Sequence, residues 1–373
     1  MKYYIIAGEA SGDLHASNLM RGLFSKDPSC DIRFWGGDAM SAVGGTRVRH
    51  YRDMAVMGLV EVASMLRKIL GNMSFCRRDI LGWKPDAVIL VDYPSFNMRI
   101  ARFAKAQGFK VFWYIAPKVW AHKAWRVRPL KKYVDALYCI FPFELGWFRS
   151  HGIEPRYFGN PLPEAISRAG IRPLEGGEGV RRIALLPGSR NSELKFLMPR
   201  LARLGDMLSA DPEFSGYRLT IAGAPSMDEA AYRRYLPEGS RIEIVSGRTY
   251  DVLGSSEAAV ICSGTASLEA ALIGTPQVVC YGFNAFTWWV VSHTVRVRFV
   301  SLANLILDRS IFAELLQDDA SPERISAELE RILFDADVRK RMQADYQELK
   351  DKLGGTGASE RIAGDIYEEV TRL

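Results

Sequence analysis

The sequence predicts an α/β fold made of two doubly wound, Rossmann-like domains, each with a parallel sheet. The chain has 373 residues, which is more than a single hydrophobic core usually serves. Short apolar runs alternate with helix-length segments, and this alternation is typical of a parallel sheet that helices cover. The alternation breaks off once near the middle of the chain and then restarts. We therefore expect two domains whose sheets face a cleft, with ligands at the carboxyl ends of the strands.

The first domain is predicted from five apolar runs, each of which should contain a strand. They are KYYIIAG (2–8), DIRFWGG (31–37), DAVILVD (86–92), KVFWYIA (110–116) and ALYCIFP (136–142). The segment 167–182 then holds four glycines and one proline but few apolar side chains, which predicts an interdomain linker. The N-terminal domain is accordingly placed at 1–166.

The second domain is predicted from five further runs of the same kind. They are RIALLPGSR (182–190), YRLTIAGA (217–224), RIEIVSG (241–247), AAVICSG (258–264) and PQVVCYG (276–282). This places the C-terminal domain at 183–355, with helical patterns in its last part. A final helix at about 356–373 follows a pair of glycines, and we expect that it can pack back on the first domain.

Cysteine and histidine usage predicts a chain without a structural zinc, and we expect no metal and no cofactor. The five cysteines show no CxxC and no metal-ligand spacing, and the five histidines are scattered. We read reduced thiols and a cytoplasmic compartment. The start of the chain lacks signal-peptide anatomy, and no apolar stretch reaches the length of about 20 residues that spans a bilayer.

Charge is distributed unevenly along the chain. Residues 1–165 carry 24 Lys and Arg against 14 Asp and Glu, whereas residues 166–373 carry 25 against 29. A basic first half predicts an anionic partner there, such as a phosphorylated substrate, a membrane surface or nucleic acid. The alternative is a basic face that serves only solubility.

Three loops between a strand and the next helix are candidates for anion binding. Unpaired N–H groups at a helix start, together with the helix dipole, favour an anion there. The loops are AGEASGD (7–13), PGSR (187–190) and CSGTASLEA (262–270), with candidate residues Gly8, Ser11, Asp13, Ser189, Arg190, Ser263, Gly264, Thr265 and Glu269. None has the GK[ST] of a Walker loop or the GxGxxG spacing of a dinucleotide site. Taken singly, each is also consistent with an ordinary tight turn.

Two of these loops fall in the second domain and together predict a nucleotide-sugar pocket. Arg190 offers a guanidinium fork for phosphate oxygens, and the alternative is a surface ion pair with Glu193. Glu269 lies one turn into the helix that begins near Thr265, where its carboxylate could accept both hydroxyls of a ribose. The alternative for Glu269 is a partner of the helix dipole.

An apolar segment at 53–70 predicts contact with a membrane or with acyl chains. Its polar breaks form one narrow stripe, and basic residues cluster at its end, as in interfacial helices. The residues expected to meet lipid are Val56, Met57, Leu59, Val60, Met65, Leu66, Arg67 and Lys68. The alternative is a buried core helix. Residues 118–132 add six cations and two tryptophans, which fit anionic headgroups beside an apolar helix.

Seven motifs occur in an order that resembles the lipid-A-disaccharide synthases. They are AGEASGD, MAVMGLVEV, VDYPSFN, APKVWA, LLPGSR, SGTASLEA and SLANLI, and they run from about Ile5 to about Gln317. The resemblance implies the GT-B fold and a metal-independent, inverting glycosyltransferase. That enzyme transfers a diacylglucosaminyl group from UDP-2,3-diacylglucosamine to 2,3-diacylglucosamine 1-phosphate (lipid X), giving a β-1,6-linked disaccharide and UDP. It also implies that Arg190 and the SGTASLE loop hold UDP and that Asp92 is the general base.

Asp92 is also a candidate from the residues alone. It follows the apolar run AVILV, which places its carboxylate at the carboxyl end of a strand. A sugar hydroxyl is a very weak acid, so a carboxylate takes its proton only as the bond to carbon forms. Asn97 is expected to orient a substrate hydroxyl. Two alternatives stay open: Asp13 is the base, or Asp92 only caps the next helix.

The sequence also departs from the pattern of the family. Asn160 stands where many members have His, which leaves the role of that imidazole open. Lys118 stands where Ser is common, and this extra cation is expected to alter contact with the acceptor phosphate. Asn304, in SLANLI, is taken as a further substrate-binding residue.

Three rival classes were weighed against this interpretation. Another GT-B enzyme, either a UDP-sugar epimerase or a transferase with a soluble acceptor, would have no use for the apolar segment 53–70. A nucleic-acid-binding protein should show a recognition module, and a dinucleotide oxidoreductase its glycine spacing. We therefore expect UDP-diacylglucosamine, lipid X and the anionic inner face of the inner membrane as partners, and no nucleic acid. A homodimer is among the assemblies that the sequence allows.

Overall fold

The computed structural model describes residues 1–54, 62–120, 124–174, 180–282 and 298–372. The chain divides into two compact units. The first holds Met1–Ala165 together with Leu353–Leu373, and the second holds Ile166–Lys352. Each unit contains a parallel sheet with helices, which confirms the predicted α/β class.

The first unit is built on a sheet of seven parallel strands. These are β1 Lys2–Ala7, β2 Asp31–Gly36, β3 Thr46–His50, β4 Ala87–Val91, β5 Lys110–Tyr114, β6 Ala136–Cys139 and β7 Arg156–Tyr157. Their order is β3-β2-β1-β4-β5-β6-β7. Each of the five predicted runs contains one of these strands. The two that were missed, β3 and β7, are the edge strands, which pair on one side only and need no continuous apolar run.

Eight helices follow these strands along the described chain. They are α1 Ala10–Lys26, α2 Asp38–Ser41, α3 Tyr51–Met54, α4 Val62–Trp83, α5 Pro94–Ala106, α6 Val127–Tyr133, α7 Pro142–Ser150 and α8 Leu162–Ala169, with a short 3₁₀ turn at Ala124–Arg126. In α5 the buried positions Phe96, Ile100, Ala101 and Ala104 recur at helical spacing, so one face of that helix covers the sheet.

The second unit repeats the arrangement on a sheet of six parallel strands. These are β8 Arg181–Leu186, β9 Tyr217–Gly223, β10 Glu243–Ser246, β11 Ala258–Cys262, β12 Gln277–Tyr281 and β13 Glu314–Leu316, in the order β10-β9-β8-β11-β12-β13. The helices are α9 Asn191–Ala210, α10 Glu229–Arg233, α11 Thr249–Gly254, α12 Thr265–Ile273, α13 Leu302–Leu307, α14 Pro322–Phe334 and α15 Ala336–Leu353, with 3₁₀ turns at Pro212–Phe214 and Gln317–Asp319.

The strand order reverses direction once in each sheet. In the first sheet the chain moves outward from β1 through β2 to β3 and then returns to place β4 on the other side of β1. In the second sheet β11 lies on the other side of β8 in the same way. Ligands of doubly wound sheets bind outside the carboxyl ends of the strands at such a switch point. Ligands are therefore expected at the loops after β1 and β4 and at those after β8 and β11.

The last helix, α16 Ala358–Thr371, belongs to the first unit and packs on α1. A Cβ added at Gly22 would lie 2.7 Å from the Cβ of Ala363, so a glycine is needed where the two helices cross. Arg156 pairs with Glu369 at 2.8 Å, which ties the helix to β7. Because α8 ends at Ala169 and β8 begins at Arg181, both ends of the predicted linker 167–182 belong to regular elements.

Candidate active site

The first candidate site lies where the loops after β1 and β4 adjoin. Gly8 follows β1, and a Cβ added there would stand 2.2 Å from Cγ of Tyr93. Because side-chain carbons do not approach so closely, glycine is needed for the two loops to pack together. The AGEASGD loop therefore lies directly beside the dipeptide Asp92-Tyr93.

Asp92 is held in a strained main-chain conformation. Asp92 and Tyr93 have positive φ angles of 45° and 47°, in the left-handed region that residues other than glycine rarely adopt. The N–H group of Asp92 donates to the carbonyl oxygen of Tyr114, on the neighbouring β5, at 3.1 Å. Strain of this kind persists only where the surroundings enforce it, and it is concentrated at functional sites.

The side chain of Asn97 is one of the groups that enforce this conformation. Its Nδ2 donates to the carbonyl oxygens of Asp92 at 2.8 Å, Val91 at 3.3 Å and Ile6 at 3.4 Å. Asn97 is fully buried, and its Oδ1 has no hydrogen-bond partner among the described residues. That Asn97 orients a substrate hydroxyl stays a prediction, and the structure gives the side chain a further role. Its amide faces the main chain and holds the Asp92 loop in place.

Two charged neighbours affect the proton affinity of Asp92. Burial of the half-buried carboxyl raises its pKa above the ordinary value, Glu9 raises it further, and Lys118 opposes both. Both neighbours are exposed. A carboxyl group with a raised pKa takes up a proton more readily near neutral pH, as a general base must. Sequence analysis missed Glu9, although an acidic residue directly after β1 was the available signal.

Asp13, the alternative base, has its carboxylate engaged by the main chain. Its oxygens accept hydrogen bonds from the N–H groups of Gly37 at 2.6 Å, Ala39 at 3.0 Å and Met40 at 3.2 Å. These bonds tie α1 to the start of α2, whose first N–H groups lack intrahelical acceptors. Asp13 therefore supports the fold, and Asp92 is the better placed carboxylate. Ser11, in the first turn of α1, is exposed.

A buried glutamate that the sequence analysis did not select lies at the start of α7. Oε1 of Glu144 accepts from Nε1 of Trp120 at 3.0 Å, and Oε2 accepts from the N–H groups of Ile140 and Phe141 at 3.1 Å each. Burial raises the pKa of this carboxyl to about 7. Through Trp120, Glu144 anchors the loop after β5 that carries Lys118. The signal in the sequence was FPFE, which has capping-box spacing.

Asn160, the residue that replaces His, is also part of the fold. Its Nδ2 donates to the carbonyl oxygen of Ile140 at 2.9 Å, and its Oδ1 accepts from the N–H group of Leu162 at 2.9 Å. The side chain is fully buried. In this chain the position therefore links β6 to the start of α8.

The second candidate site begins with the PGSR loop after β8. Gly188 has a φ of 113°, and a Cβ there would lie 2.5 Å from Oε2 of Glu193. That carboxylate accepts from the N–H groups of Ser189 at 2.8 Å and Arg190 at 3.2 Å. The ion pair between Arg190 and Glu193 is present at 3.1 Å. These N–H groups, expected to bind a phosphate, are thus occupied by Glu193, while the Arg190 side chain is 74% exposed.

The loop after β11 presents the start of α12 to solvent. The N–H group of Ser263 donates to the carbonyl oxygen of Cys280 at 3.0 Å, which extends the pairing of β11 with β12. Gly264 and Thr265 follow it and are exposed. The first N–H groups of a helix have no intrahelical acceptor, so this helix start can bind an anion.

The two loops of the second unit form one electrostatic environment. They follow adjacent strands, about 4.8 Å apart in a sheet. Burial raises the pKa of the Cys262 thiol, at the end of β11, to about 12; Glu193 adds to this rise and Arg190 opposes it. Glu269 lies further along α12 and is half-buried, which raises its pKa. Its Oε1 accepts from the hydroxyl of Tyr250 at 3.2 Å.

Substrate contact by Asn304 stays a prediction, and in the structure the side chain has hydrogen-bond partners within its own unit. Asn304 is fully buried in α13. Its Oδ1 accepts from the N–H group of Ile311 at 2.9 Å, and its Nδ2 donates to Oε1 of Glu314 at 2.8 Å and to the carbonyl oxygen of Phe312 at 3.3 Å. Both ends of the amide are therefore used to join α13 to β13.

The predicted lipid-contacting segment is only partly described. Val56, Met57, Leu59 and Val60 lie outside the described residues, as do the side chains of Met65 and Leu66. Arg67 and Lys68, in α4, are exposed. None of the helices in the described part of the chain is long and apolar enough to cross a membrane. Within the same residues, no group of three or more His, Cys, Asp or Glu side chains could hold a metal ion.

Comparison with known proteins gives the family. A model of the lipid-A-disaccharide synthetase family matches residues 3–363. The lipid-A-disaccharide synthase of Myxococcus xanthus (strain DK1622) is 37% identical over 370 residues, covering 98% of this chain and 96% of that protein. A solved structure described as a UDP-N-acetylglucosamine 2-epimerase from Listeria monocytogenes aligns with a TM-score of 0.70 at 13% identity, over 100% of this chain and 97% of that chain. The spinosyn rhamnosyltransferase SpnG gives 0.63 at 12% identity, over 98% and 100%. These two likenesses show the GT-B fold, and the sequence matches show that the chain belongs to the lipid-A-disaccharide synthase family of glycosyltransferases.

Proposed function

We propose that this chain condenses UDP-2,3-diacylglucosamine with lipid X and releases UDP and a β-1,6-linked lipid A disaccharide 1-phosphate. The name of the Myxococcus relative supports this reaction. The observation that carries the proposal in the structure is Asp92, a half-buried carboxyl of raised pKa on a strained loop at the first switch point.

On the acceptor side, Asp92 is the general base. Its carboxylate accepts the proton of the lipid X 6-hydroxyl as the oxygen attacks the anomeric carbon of the donor. Assistance of this kind is typically worth about 10²–10⁴-fold in rate. Asn97 and Gly8 position the loop, and Lys118 supplies a positive charge that can meet the acceptor phosphate.

On the donor side, Arg190 and the start of α12 bind the diphosphate of UDP. The guanidinium forms charge-assisted hydrogen bonds with phosphate oxygens, and it exchanges its exposed contact with Glu193 for them. The N–H groups at Gly264 and Thr265 face the same anion. Glu269 accepts hydrogen bonds from the ribose hydroxyls.

The chemistry is a single displacement that inverts the anomeric configuration. The bond from the acceptor oxygen to the anomeric carbon forms as the bond to the diphosphate oxygen breaks, and the proton passes to Asp92. Arg190 and the helix N–H groups stabilise the negative charge that develops on the departing UDP. We propose that these groups suffice without a divalent cation.

Acylated substrates reside in membranes, so we propose that the enzyme works as a peripheral protein on the inner face of the inner membrane. The apolar sequence 53–70 and the basic sequence 118–132 support this.

A product assay tests the proposal and separates it from the epimerase alternative. Purified protein is incubated with UDP-2,3-diacylglucosamine alone, lipid X alone, or both, in detergent micelles. The proposal predicts that UDP and a disaccharide 1-phosphate form only when both substrates are present. Conversion of a UDP-sugar without acceptor would contradict it.

A further inference from the structure

A second cationic site lies at the edge of the first sheet, apart from the two candidate sites for substrate. The edge strand β3, helix α3 and helix α4 line an open cavity of about 590 Å³. Among the described residues, its polar lining consists of Arg47, Arg49, His50, Asp53, Lys68 and Asn72. Four of these side chains are basic and one is acidic, so the cavity favours an anion.

Arg49 is held by a hydrogen bond and by two aromatic rings. Its Nη1 donates to Oδ1 of the buried Asn72. Its guanidinium also lies over two rings, 5.4 Å from the centroid of Trp35 and 4.9 Å from that of Phe75. Stacking and the single amide contact fix the plane of the guanidinium while leaving other N–H donors of its fork for a ligand. A planar fork of this kind matches the oxygens of a phosphate.

Arg47 and His50, which flank Arg49 in β3, lie beside one carboxylate at the rim of the cavity. Arg47 pairs with Asp38 at 2.8 Å, and Nε2 of His50 lies 3.6 Å from the same carboxylate. Asp38 is 77% exposed, so this pairing is screened and stabilises little. Among the described residues no carboxylate forms an ion pair with Arg49.

The cavity and Asp92 lie at different strands of the first sheet. The cavity lies at β3, and three strand spacings separate β3 from β4, whose last residue, Val91, precedes Asp92. The axes of β3 and β4 are therefore about 14 Å apart, which exceeds the span of one hexose ring. This separation favours a different molecule as the source of a phosphate in the cavity.

The sequence that connects two lining residues, Asp53 and Lys68, indicates what that molecule is. Residues 54–66, MAVMGLVEVASML, are apolar apart from Glu61 and Ser64, and they lead directly into the part of α4 that carries Lys68. An apolar segment next to basic side chains is typical of elements that lie in the headgroup region of a bilayer. We infer that the β3-edge cavity binds the phosphate of an anionic membrane phospholipid. This inference rests on the proposed function, because it assumes that the acylated substrates are reached from a bilayer.

The test compares the binding of two variants to vesicles. Arg47→Gln/Arg49→Gln removes two cations of the cavity, and Arg21→Gln/Lys26→Gln removes two exposed cations of α1 as a matched control. Binding is measured by sedimentation with vesicles of phosphatidylcholine, alone or mixed with phosphatidylglycerol. Each cation near an anionic surface raises the binding constant for that surface roughly fivefold. The cavity variant lacks two such cations, so it should bind the mixed vesicles roughly 30-fold more weakly. The control variant should stay close to wild type. Equal losses in the two variants would show diffuse charge attraction and overturn the inference.

Single variants and competing ligands distinguish a phospholipid site from the alternatives. If the double variant does not fold, Arg47→Gln alone, at an exposed position, should lose roughly fivefold in vesicle binding. Arg49→Lys keeps the charge but loses the fork, and a phosphate site predicts that it still weakens binding. Inorganic phosphate that binds as tightly as the mixed vesicles would indicate a soluble phosphate ligand, and equal competition by DNA would indicate nucleic acid. Either result overturns the membrane assignment.

Turnover in detergent micelles separates this inference from the proposed function. The Arg47→Gln/Arg49→Gln variant should keep wild-type turnover there while losing vesicle binding. Loss of micellar turnover with vesicle binding intact would place the cavity in substrate binding and contradict the inference. Absence of turnover in the wild-type protein would instead contradict the proposed function, whatever the vesicles show.

Discussion

Replacing Asn97 with leucine should destabilise the first unit and lower turnover, because the Asn97 amide holds the Asp92 loop. Its Nδ2 contacts three main-chain carbonyl oxygens at 2.8 to 3.4 Å, but an amide has only two N–H hydrogens, so two bonds are lost at most. Each buried carbonyl group left unpaired lowers the free energy of unfolding by about 1–2 kcal/mol, so two of them lower it by about 2–4 kcal/mol. Leucine also removes the buried Oδ1, which has no partner among the described residues, and this removal raises the free energy of unfolding by about 1 kcal/mol. The free energy of unfolding should therefore fall by about 1–3 kcal/mol.

The assay combines urea unfolding with kinetics, and Asn18→Leu is the matched control. Asn18 is a buried asparagine of α1 whose Nδ2 lacks a partner in the part of the chain that the structure describes. Its replacement should leave the free energy of unfolding unchanged or raise it. For Asn97→Leu we also expect kcat to fall while UDP affinity holds, since the donor site lies in the other unit. If the two variants unfold alike and both retain wild-type kcat, Asn97 does not hold Asp92 in place.

Three further predictions concern the donor site, pH and metal. Arg190→Ala should weaken UDP binding by about 10- to 150-fold in calorimetry, as expected for one lost charged hydrogen bond. Arg203→Ala, in the helix α9 that follows Arg190, should leave UDP affinity unchanged, and equal affinities of the two variants would remove Arg190 from the diphosphate site. Activity should fall with decreasing pH as Asp92 is protonated, at a higher pH than for an ordinary aspartate because burial raises its pKa. Lys118→Gln removes the charge that lowers this pKa, so the acidic limb of kcat/KM should move to higher pH, and a shift to lower pH would contradict the assignment. Turnover should persist in EDTA, and a loss that magnesium or manganese restores would show that a metal is required.

The central strands could be predicted from the sequence because burial on both faces demands continuous apolar runs. AVILV of β4 and IALL of β8 are such runs, and so the loops at both switch points were predicted as well. The edge strand β3, TRVRH, carries alternating cations and no such run, so it was missed together with the cavity beside it. An edge strand that is partly exposed to solvent does not need a continuous run of apolar residues, so the sequence pattern does not reveal it.

Residue type did not reveal which way a polar side chain points. Asn97, Asp13 and Asn304 were selected as ligands because each lies in a motif near a strand end. In the structure, all three bind main-chain groups of their own unit. Buried main-chain N–H and C=O groups need partners, and a short polar side chain near a strand end often supplies one. Glu144 was missed for the same reason, since its burial arises from tertiary packing.

The central claim, that Asp92 is the base of a glycosyl transfer to lipid X, is tested most directly by Asp92→Asn. The variant keeps the shape of the side chain and removes the proton acceptor, so the fold and UDP affinity should match those of the wild type. Turnover with saturating UDP-2,3-diacylglucosamine and lipid X should fall by about 10²–10⁴-fold. Turnover that stays within about tenfold of wild type, below the range that general base catalysis supplies, would contradict the account.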